Sequence, residues 1–245
     1  MVTVSIVSHG HAAWVSLLLQ DLNRCPEISR IILTLNVEDS GIEIPDGLSG
    51  KVICLHNIKP KGFGANHNGA FRQCNTPYFC ILNPDIRLGT NPFPGLLQAM
   101  NDSDVALVAP ISEDRNGNIQ DSVRYFPKPR SLLVKILGWN DGRYSAHSGD
   151  RPFPVEWVSG MFMLIRSSDY RERGGFDEKY YLYYEDVDLC VRLWKSGRKI
   201  VACPQVRVVH EAQRASHHNL KHLRWHLSSL MRYFYKYLFR LPRIG

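Results

Sequence analysis

The sequence predicts an α/β fold around a mostly parallel β-sheet flanked by helices, and three observations support that prediction. Short apolar runs alternate with helical patterns through about the first 110 residues. Most of these runs carry apolar residues at consecutive positions. This pattern is typical of strands in a parallel sheet that helices cover on both faces. The chain has 245 residues, of which 44% are hydrophobic and 22% are charged, which is ordinary usage for a globular protein. Disordered and fibrous classes are therefore excluded.

The elements of the first 110 residues follow from the spacing of their apolar side chains. Short runs rich in apolar and β-branched residues predict strands over residues 2–8, 31–35, 52–55, 78–82 and 105–109. Apolar residues three and four positions apart predict helices over residues 12–22, 65–73 and 94–100. Sheets of this kind bind their ligands beyond the carboxyl ends of the strands, so candidate functional residues are expected there.

The second half of the chain is less regular. Residues 110–154 are rich in turn-forming Gly, Pro and Asn, which predicts a long and partly mobile connection. The elements predicted after it are a strand over 155–166, a helix over 185–195, two short strands over 199–202 and 207–210, and a helix over 219–239. No apolar run reaches the ~18–20 residues that cross a bilayer, and no signal peptide is evident, so we expect a cytoplasmic protein.

The net charge of +7 is concentrated near the C-terminal end. Residues 211–245 contain seven Lys or Arg side chains and one acid. The helix over 219–239 combines this charge with apolar and aromatic residues, a composition typical of helices that lie on an anionic membrane surface. On this interpretation we expect the helix to lie outside the catalytic site. The alternative is a helix packed on the rest of the protein or in a dimer, with its basic face in solvent.

A carboxylate follows the strand predicted over 78–82. Asn83-Pro84 leads the chain to Asp85 in a loop, and Pro84 ends the hydrogen bonding of the strand. One carboxylate in that place can hold a divalent cation while leaving coordination positions for substrate phosphates. A turn formed by Asn-Pro-Asp is the alternative.

A second candidate is the glycine-containing stretch over 61–70, which reads Lys-Gly-Phe-Gly-Ala-Asn-His-Asn-Gly-Ala. Glycines before a helix let backbone N–H groups approach a phosphate, and the helix N-terminus favours negative charge. The spacing is neither the dinucleotide-binding G-x-G-x-x-G nor a Walker loop. By itself this stretch is a weak indication of a phosphate site.

The strongest cluster of acids begins the helix predicted over 185–195. Glu185, Asp186 and Asp188 lie within four residues at a helix start, where the helix dipole stabilises anions. Helix capping is the alternative role for such residues. Four tyrosines precede these acids: Tyr180, Tyr181, Tyr183 and Tyr184. Helix capping does not require this aromatic surface. Carboxylates beside aromatic rings suit a general base that faces a sugar-like acceptor.

These motifs, in this order, resemble those of the inverting family 2 glycosyltransferases, which have the GT-A fold. The resemblance covers about residues 2–212 and rests on Val-Ser-Ile-Val-Ser, Gly-Phe-Gly-x-Asn-x-Asn-Gly, Leu-Asn-Pro-Asp, Gly-Gly-Phe-Asp-Glu and Glu-Asp-Val-Asp-Leu. Within the family, segments 7–10, 157–166 and 224–227 look most like those of bacterial O-antigen rhamnosyltransferases.

The resemblance implies a metal-assisted sugar transfer. Asp186 matches the catalytic base, and Glu185 and Asp188 match its support. A Mg²⁺ or Mn²⁺ ion is implied, with the matching ligands Asp85, His210 and Asn83. Asn83 stands where the D-x-D motif of the family has its first aspartate, which removes one charge from the metal site.

The resemblance also implies the substrate-binding residues. Those that match the nucleotide-sugar site are Ser8, His9, Gly10, Asn36, Gly62, Phe63, Gly64, Asn66, Asn68, Asn83 and Asp85. Those that match the acceptor side are Trp157, Gly160, Tyr184 and Glu185. Most members carry Asp-Asn after the second strand, whereas this chain has Leu35-Asn36, and Glu38 and Asp39 are the candidates to replace that carboxylate.

The implied organisation is a GT-A domain over 1–212, with a nucleotide-binding part at 1–110 and an acceptor part at 150–212, followed by a basic helical tail over 213–245. The implied reaction moves L-rhamnose from dTDP-rhamnose to a polyprenyl-diphosphate-linked saccharide, with GlcNAc as the expected acceptor sugar, in O-antigen or other surface polysaccharide synthesis. The alternatives are a transferase that uses UDP-galactose or UDP-GlcNAc and a non-catalytic nucleotide-sugar-binding module. No nucleic-acid-binding motif is recognised, so no nucleic acid partner is expected. The expected location is peripheral, on the inner face of the cytoplasmic membrane.

Overall fold

The computed structural model describes residues 1–129, 142, 144, 151–211, 220–238, 240–242 and 244 of the chain. Within these residues the strands are β1 Val2–Ser8, β2 Ile28–Leu35, β3 Val52–His56, β4 Tyr78–Leu82, β5 Ile86–Arg87, β6 Val105–Glu113, β7 Val123–Arg124, β8 Phe153–Pro154, β9 Trp157–Val158, β10 Phe162–Arg166 and β11 Lys199–His210. The helices are α1 Ala12–Leu22, α2 Phe63–Phe71, α3 Phe93–Ala99, α4 Ser167–Glu172, α5 Glu185–Lys195 and α6 Leu220–Tyr237.

The described strands form one large sheet and one small one. The order in the large sheet is β3-β2-β1-β4-β10-β6-β11-β5, with β8 paired to β11. β1 is parallel to β2 and β4, β2 is parallel to β3, and β6 is parallel to β11. β10 is antiparallel to both of its neighbours, and β7 and β9 form a separate antiparallel pair. The sheet is therefore mixed and mostly parallel, as the sequence predicts.

Apolar side chains cover both faces of the large sheet, because successive residues of a strand point to opposite faces. In β4, Phe79 and Ile81 belong to one core, whereas Cys80 and Leu82 belong to the other. The first core packs against α2, α5 and α6, and the second packs against α1 and α3. Burial on both faces explains why β4 and β6 are almost entirely apolar in the sequence.

Most predicted elements are confirmed, and β1, α1, β4 and α5 have the predicted bounds. The predicted strand over 155–166 is wrong, because β9 and β10 are separate strands. Between them the Gly160 N–H donates to the Asp186 carboxylate at 3.0 Å instead of to a neighbouring strand. The two strands predicted over 199–202 and 207–210 are the single strand β11. Its pairing with β6 is irregular around Pro204, which has no N–H to donate.

Residues 110–129 are part of the folded domain. β6 extends to Glu113, and β7 pairs with β9. Val123 and Phe126 are buried in the same core as α5. The prediction of a partly mobile connection is therefore wrong for this stretch. The rest of that prediction falls mainly on 130–141 and 145–150, which lie outside the described residues.

Helix α6 has one buried face and one exposed face. Ser229, Tyr233 and Tyr237 are buried, and the two tyrosines belong to the same core as α5. The exposed face carries the apolar side chains Leu220, Leu223, Leu227, Met231 and Tyr235. Among the described residues, no helix is both long enough and apolar enough to cross a membrane.

Candidate active site

Two adjoining cavities open beyond the carboxyl ends of β1, β2 and β4, where a sheet of this kind is expected to bind ligands. The β1-side cavity has a volume of about 500 Å³ and is bordered by residues that follow β1 and β2. The α5-side cavity has a volume of about 420 Å³ and is bordered by the start of α5. Phe63, Asn83 and Leu182 line both cavities, so the two spaces meet at these side chains.

Polar side chains at the end of β2 organise the β1-side cavity, which His9 and Asn36 line. Asn36 Oδ1 accepts hydrogen bonds from the Lys61 N–H at 2.8 Å and from Asn57 Nδ2 at 2.9 Å. Asn36 Nδ2 donates to Lys61 O at 3.0 Å. Asn57 Nδ2 also lies 2.6 Å from Asn66 Oδ1. Asn36 therefore fixes the glycine-containing loop against the end of the sheet.

Ser8 ends β1 and Gly10 lies in the turn after it, and neither lines either cavity. Ser8 Oγ donates to Asp39 Oδ2, and the His11 N–H donates to the same oxygen at 3.0 Å. Gly10 has a φ of +80°, a left-handed conformation that glycine adopts without strain. Of the two candidate carboxylates, Asp39 therefore contacts the end of β1, whereas Glu38 is exposed.

The glycine-containing loop before α2 packs closely against residues 176–181. A Cβ on Gly62 would lie 2.4 Å from the Tyr181 carbonyl oxygen, and a Cβ on Gly64 would lie 2.7 Å from Phe176 Cβ. The Phe63 N–H donates to Tyr181 O at 2.9 Å. The two glycines thus allow a close approach of neighbouring chain, and the Phe63 amide is engaged within the protein rather than open to a phosphate.

The predicted nucleotide-sugar residues at the end of this loop and in α2 divide into two groups. Gly62, Phe63 and Asn66 line the β1-side cavity. Gly64 and Asn68 line neither cavity. Asn68 Oδ1 accepts from Tyr170 OH at 2.7 Å and from the Phe176 N–H at 2.9 Å, and Asn68 Nδ2 donates to Phe176 O at 2.9 Å. Asn68 therefore joins α2 to the segment that leads to α5.

Replacing Gly62 with alanine is expected to lower the free energy of unfolding by about 1–3 kcal/mol, the usual range for an overpacked site. The added methyl would meet the backbone of Tyr181, which cannot move aside as a flexible side chain can. Gly50→Ala is the matched control, because a Cβ there has nothing within 4 Å. Urea unfolding followed by tryptophan fluorescence measures both variants. Equal stabilities would contradict the close approach.

Asp85 and His210 face each other beyond the end of β4, with Asp85 Oδ2 3.3 Å from His210 Nε2. Gln120 Nε2 donates to the His210 carbonyl at 3.1 Å, and Gln120 Oε1 lies 2.5 Å from His210 Nδ1. The amide oxygen therefore accepts the Nδ1 proton, which leaves a lone pair on Nε2 in the neutral ring. His210 Nε2 and Asp85 Oδ2 therefore face each other closely enough for both to be ligands of one cation.

The chemistry at Asp85 fits a hard divalent cation. Asp85 Oδ1 is buried and has no hydrogen-bond partner among the described residues. Asn83 lines both cavities and offers a neutral amide oxygen. Over the described part of the chain, no group of three or more His, Cys, Asp or Glu side chains is placed to hold a metal. Asp85 and His210 would therefore supply two ligands, and the remaining positions suit substrate phosphates and water.

The first turn of α5 presents Asp186 to the α5-side cavity. Asp186 Oδ2 accepts from the Gly160 N–H at 3.0 Å, and Asp186 Oδ1 accepts from the Val187 N–H at 2.8 Å. Burial raises the pKa of Asp186, and these two backbone N–H groups partly offset that effect. A fixed carboxylate with a raised pKa at a cavity wall is well suited to accept a proton.

The backbone that leads into α5 is strained. Tyr183 and Tyr184 have φ angles of 71° and 68°, and the left-handed region costs a residue other than glycine roughly 1–3 kcal/mol. These two residues bring Glu185 and Asp186 to the wall of the α5-side cavity, which all four line. Backbone strain is therefore located directly before the candidate base.

Glu185 is the second carboxyl group at the wall of the α5-side cavity. Burial raises the pKa of Glu185 well above its usual value, and the adjacent charge of Asp186 raises it further. Glu185 Oε2 is buried and has no hydrogen-bond partner in the described structure. A protonated Glu185 can donate a hydrogen bond while an ionised Asp186 accepts one, so the pair offers both functions to a ligand hydroxyl.

Glu185→Gln is expected to make the stability of the protein less dependent on pH. Because the folded-state pKa of Glu185 is raised, the folded protein retains this proton at pH values where the unfolded chain releases it. The stability that the protonated side chain contributes is complete below the unfolded pKa and is lost as pH rises through the folded pKa. Thermal unfolding at about pH 5 and about pH 8 compares the two proteins. Between these two pH values, the midpoint of the unchanged protein should fall further than that of Glu185→Gln. Equal falls of the two midpoints would contradict the raised pKa of Glu185.

Asp188 lines neither cavity, although the resemblance places it in the catalytic cluster. Its side chain is fully buried. Asp188 Oδ2 accepts from Arg192 Nε at 2.7 Å, whereas Asp188 Oδ1 accepts from Lys236 Nζ at 2.6 Å and from Tyr237 OH at 2.7 Å. Asp188 is therefore engaged at the contact between α5 and α6.

The three other predicted acceptor residues, Trp157, Gly160 and Tyr184, all line the α5-side cavity. Trp157 Nε1 donates to Tyr125 O at 2.9 Å, which satisfies the one polar atom of the indole. A Cβ on Gly160 would lie 2.9 Å from Phe63 Cζ. The cavity thus combines aromatic walls with the two carboxyl groups of α5, a combination suited to a ligand that has apolar and hydroxyl-bearing faces.

Sequence reasoning missed cavity residues in at least three segments, the first of which is α1, where Trp14 lines the β1-side cavity. Arg124 and Tyr125 line the α5-side cavity and come from the stretch predicted as a connection. His222 and Trp225 of α6 line the β1-side cavity, and His226 lines the α5-side cavity. The prediction that the C-terminal helix lies outside the catalytic site is therefore wrong. The similarity of segment 224–227 to rhamnosyltransferases was a usable signal for α6, whereas Arg124 and Tyr125 had none.

Solved structures of glycosyltransferases are among those that share this fold. GalNAc-T7 with UDP, GalNAc and Mn²⁺ matches 86% of this chain and 43% of its own, with a TM-score of 0.64 at 16% identity. The mannosyltransferase PcManGT from Pyrobaculum calidifontis, in complex with GDP-Man and Mn²⁺, matches 94% of this chain and 64% of its own, with a TM-score of 0.59 at 14% identity. The fold is that of the GT-A glycosyltransferases, as predicted.

Sequence comparisons then identify the family. The model described as "Glycosyltransferase like family 2" matches residues 27–228. Rhamnosyltransferase WbbL of Escherichia coli (strain K12) is 32% identical over 95% of this chain and 92% of its own length. The N-acetylglucosaminyl-diphospho-decaprenol L-rhamnosyltransferase of Mycobacterium tuberculosis is 33% identical over 53% of this chain and 45% of its own length. The chain belongs to glycosyltransferase family 2.

Proposed function

We propose that this glycosyltransferase is inverting and metal-dependent, and that it moves L-rhamnose from dTDP-rhamnose to a polyprenyl-diphosphate-linked GlcNAc acceptor. The observation that carries the proposal is the pair of adjoining cavities, one bordered by Asp85 and the other by Asp186. The names of two relatives support the choice of sugar, since both are rhamnosyltransferases. One of these names also supports a lipid-diphosphate-linked GlcNAc acceptor.

The donor is assigned to the β1-side cavity and the acceptor to the α5-side cavity. The β1-side cavity is lined by the planar side chains of Trp14 and Trp225 and by the cationic Lys61, which suit a nucleotide diphosphate. The α5-side cavity has the aromatic walls that suit a sugar ring. The reacting sugar of the donor would lie where the cavities meet, near Asn83, within reach of both substrates.

The proposed reaction follows from the groups that line the two cavities. Asp85 and His210 would hold a Mg²⁺ or Mn²⁺ ion. Acting as a Lewis acid, that ion would offset the negative charge that grows on the leaving diphosphate. Asp186 takes the proton of the acceptor hydroxyl as that oxygen attacks C1 of the donor sugar. The electron pair of the C1–O bond leaves with the diphosphate on the opposite face. A single displacement inverts C1, so a β-linked donor gives an α-linked product.

Glu185 is assigned a supporting role at the same cavity. Its raised pKa keeps it protonated to higher pH than an exposed glutamate, so it can donate a hydrogen bond to the acceptor. A protonated Glu185 also places no second negative charge beside Asp186. Trp157 and Tyr184 offer aromatic surface against which the apolar face of the acceptor sugar can pack.

The proposal is tested by incubating the protein with Mg²⁺ or Mn²⁺, a polyprenyl-diphosphate-GlcNAc acceptor and a panel of nucleotide sugars. We expect release of dTDP from dTDP-rhamnose that depends on the acceptor. Release of UDP from UDP-galactose or UDP-GlcNAc alone would overturn the assignment of the donor. Binding of a nucleotide sugar with no turnover of any member of the panel would favour a non-catalytic binding module instead.

We propose that α6 also holds the protein on an anionic membrane, which would place the enzyme peripherally on the inner face of the cytoplasmic membrane. On this proposal the exposed face of α6 meets the membrane, while its buried face packs on the transferase core. Leu220, Leu223, Leu227 and Met231 form an exposed apolar stripe along α6, and Arg224 lies in the same shallow groove. Each basic residue near an anionic surface contributes about 1 kcal/mol of attraction, which salt screens.

Replacing Leu223, Leu227 and Met231 together with serine is expected to weaken binding to anionic vesicles at least tenfold, since each buried methylene contributes about 0.8 kcal/mol. Transfer to a short soluble acceptor should be unchanged, because these side chains line neither substrate cavity. The control is Ile58→Ser, which changes a fully exposed apolar side chain outside α6. Vesicle sedimentation measures binding. Unchanged binding, or the loss of a dimer in sedimentation analysis, would contradict membrane docking.

A further inference from the structure

Helix α6 contacts each residue of segment 182–184, which contains the strained Tyr183 and Tyr184 and leads into the candidate base. Ser229 Oγ donates to Leu182 O at 2.8 Å. Tyr183 OH lies 3.0 Å from His222 Nδ1. The ring of Tyr184 lies 5.5 Å from that of His226 and 5.4 Å from that of Tyr233. Three consecutive residues before Glu185 are thus fixed from one neighbouring helix.

Helix α6 also contacts the first turn of α5 at Asp188, on the C-terminal side of the candidate base. Asp188, two residues after Asp186, is fully buried and needs strong partners, because an unpaired buried carboxylate is very costly. Arg192, one of these partners, belongs to α5 itself, and its guanidinium also donates to Arg173 O and to Gly175 O, the latter at 2.7 Å. Lys236 and Tyr237 come from α6, and Lys236 Nζ also binds Asp177 Oδ2 at 3.0 Å.

These contacts have an energetic reason. Two successive left-handed residues cost roughly 1–3 kcal/mol each, and such a backbone persists only where its surroundings over-determine it. The contacts of Ser229, His222, Lys236 and Tyr237 lie on both sides of Tyr183 and Tyr184 along the chain. Without them the segment would relax, and the carboxylate of Asp186 would leave the position that the Gly160 N–H defines.

We propose that Asp188 is an anchor for α6, and that Lys236, Tyr237 and Ser229 are positioning residues that hold Asp186 in its catalytic geometry. This inference rests on the proposed role of Asp186 as the base. It assigns the inner face of α6 to catalysis, whereas the outer face is assigned to the membrane. A displacement of about 1 Å at a reacting group can reduce a rate by about 10²-fold, so a loosened anchor should act mainly on turnover.

The test is Tyr237→Phe, which removes one hydroxyl from the anchor and keeps the ring in the core. We expect kcat to fall about tenfold on long-chain and short soluble acceptors alike, with the KM for the donor within about twofold of the unchanged protein. Tyr235→Phe is the matched control, because it makes the same change on the same helix at a side chain that is 95% exposed. Its kinetics should equal those of the unchanged protein.

A second pair of variants separates positioning from simple loss of folded protein. Lys236→Met should lower kcat at least as much as Tyr237→Phe, and Lys236→Arg should restore most of it by keeping the charge at Asp188. Circular dichroism and titration of active sites with donor nucleotide give the folded fraction. Unchanged kcat in Tyr237→Phe and Lys236→Met, or a loss equal to the loss of folded protein, would overturn the inference. Asp186→Asn distinguishes a failure of this inference from a failure of the proposed function. If that variant kept its activity, Asp186 would not be the base, and the proposed function would fail together with the inference.

Discussion

The variant Asp186→Asn is expected to lose about 10²–10⁴-fold in kcat, the usual effect of removing a general base. Asparagine has the same shape, but its one amide oxygen can accept from only one of the Gly160 and Val187 N–H groups, because these bond to different oxygens of Asp186. What disappears is the oxygen that takes the proton of the acceptor. Binding of the nucleotide sugar should change little, because Asp186 lines only the α5-side cavity.

Steady-state kinetics and calorimetric binding of the donor nucleotide measure these two effects separately. The matched control is Asp46→Asn, an identical change at an exposed position in a short 3₁₀ helix far along the chain from α5. It should retain full kcat. Activity of Asp186→Asn within a few-fold of the unchanged protein would transfer the role of base to Glu185.

Removal of the cation site is expected to have the second largest effect. Asp85→Ala should lower kcat/KM by about 10²–10³-fold, because a Lewis acid at a leaving diphosphate contributes several kcal/mol and about 1.4 kcal/mol is a factor of ten. Asn83→Ala should lose much less, since a neutral amide oxygen is a weaker ligand than a carboxylate. Chelation by EDTA should abolish turnover, and excess Mg²⁺ or Mn²⁺ should restore it.

Titration of Mn²⁺ by electron paramagnetic resonance, with the donor nucleotide present, provides a readout that does not depend on turnover. The unchanged protein and Asn83→Ala should both bind the ion, and Asp85→Ala should not. Full activity in EDTA would contradict a metal role. The charge of the leaving diphosphate would then have to be offset by a side chain such as Lys61, which lines the β1-side cavity.

The sequence was sufficient for elements whose stability is local or whose pattern is strong. β1, α1, β4 and α5 begin and end where their apolar spacing predicts. The placement of Asp85 after β4 and of Asp186 in the first turn of α5 also followed from the chain order, because strand and helix ends determine where those side chains emerge. The resemblance to family 2 then supplied roles that spacing alone could not.

The sequence was insufficient wherever a long-range contact decides the structure. The break between β9 and β10 depends on Gly160 donating to a carboxylate 26 residues away in the chain. The position of Asp188 depends on Lys236 and Tyr237, which lie 48 and 49 residues away. α6 has a pattern that fits either a membrane surface or a protein core, and the structure has a buried face and an exposed apolar face on the same helix.

The stereochemistry of the product tests the central claim most directly. The account requires one displacement at C1, with Asp186 as the base and no covalent intermediate on the protein. The protein should therefore convert β-linked dTDP-rhamnose and a GlcNAc-diphosphate lipid into an α-linked rhamnoside. The one-bond coupling between C1 and its proton in the nuclear magnetic resonance spectrum of the product distinguishes the two anomers. A β-linked rhamnoside would require retention at C1 and would contradict the proposed roles of Asp186 and of both cavities.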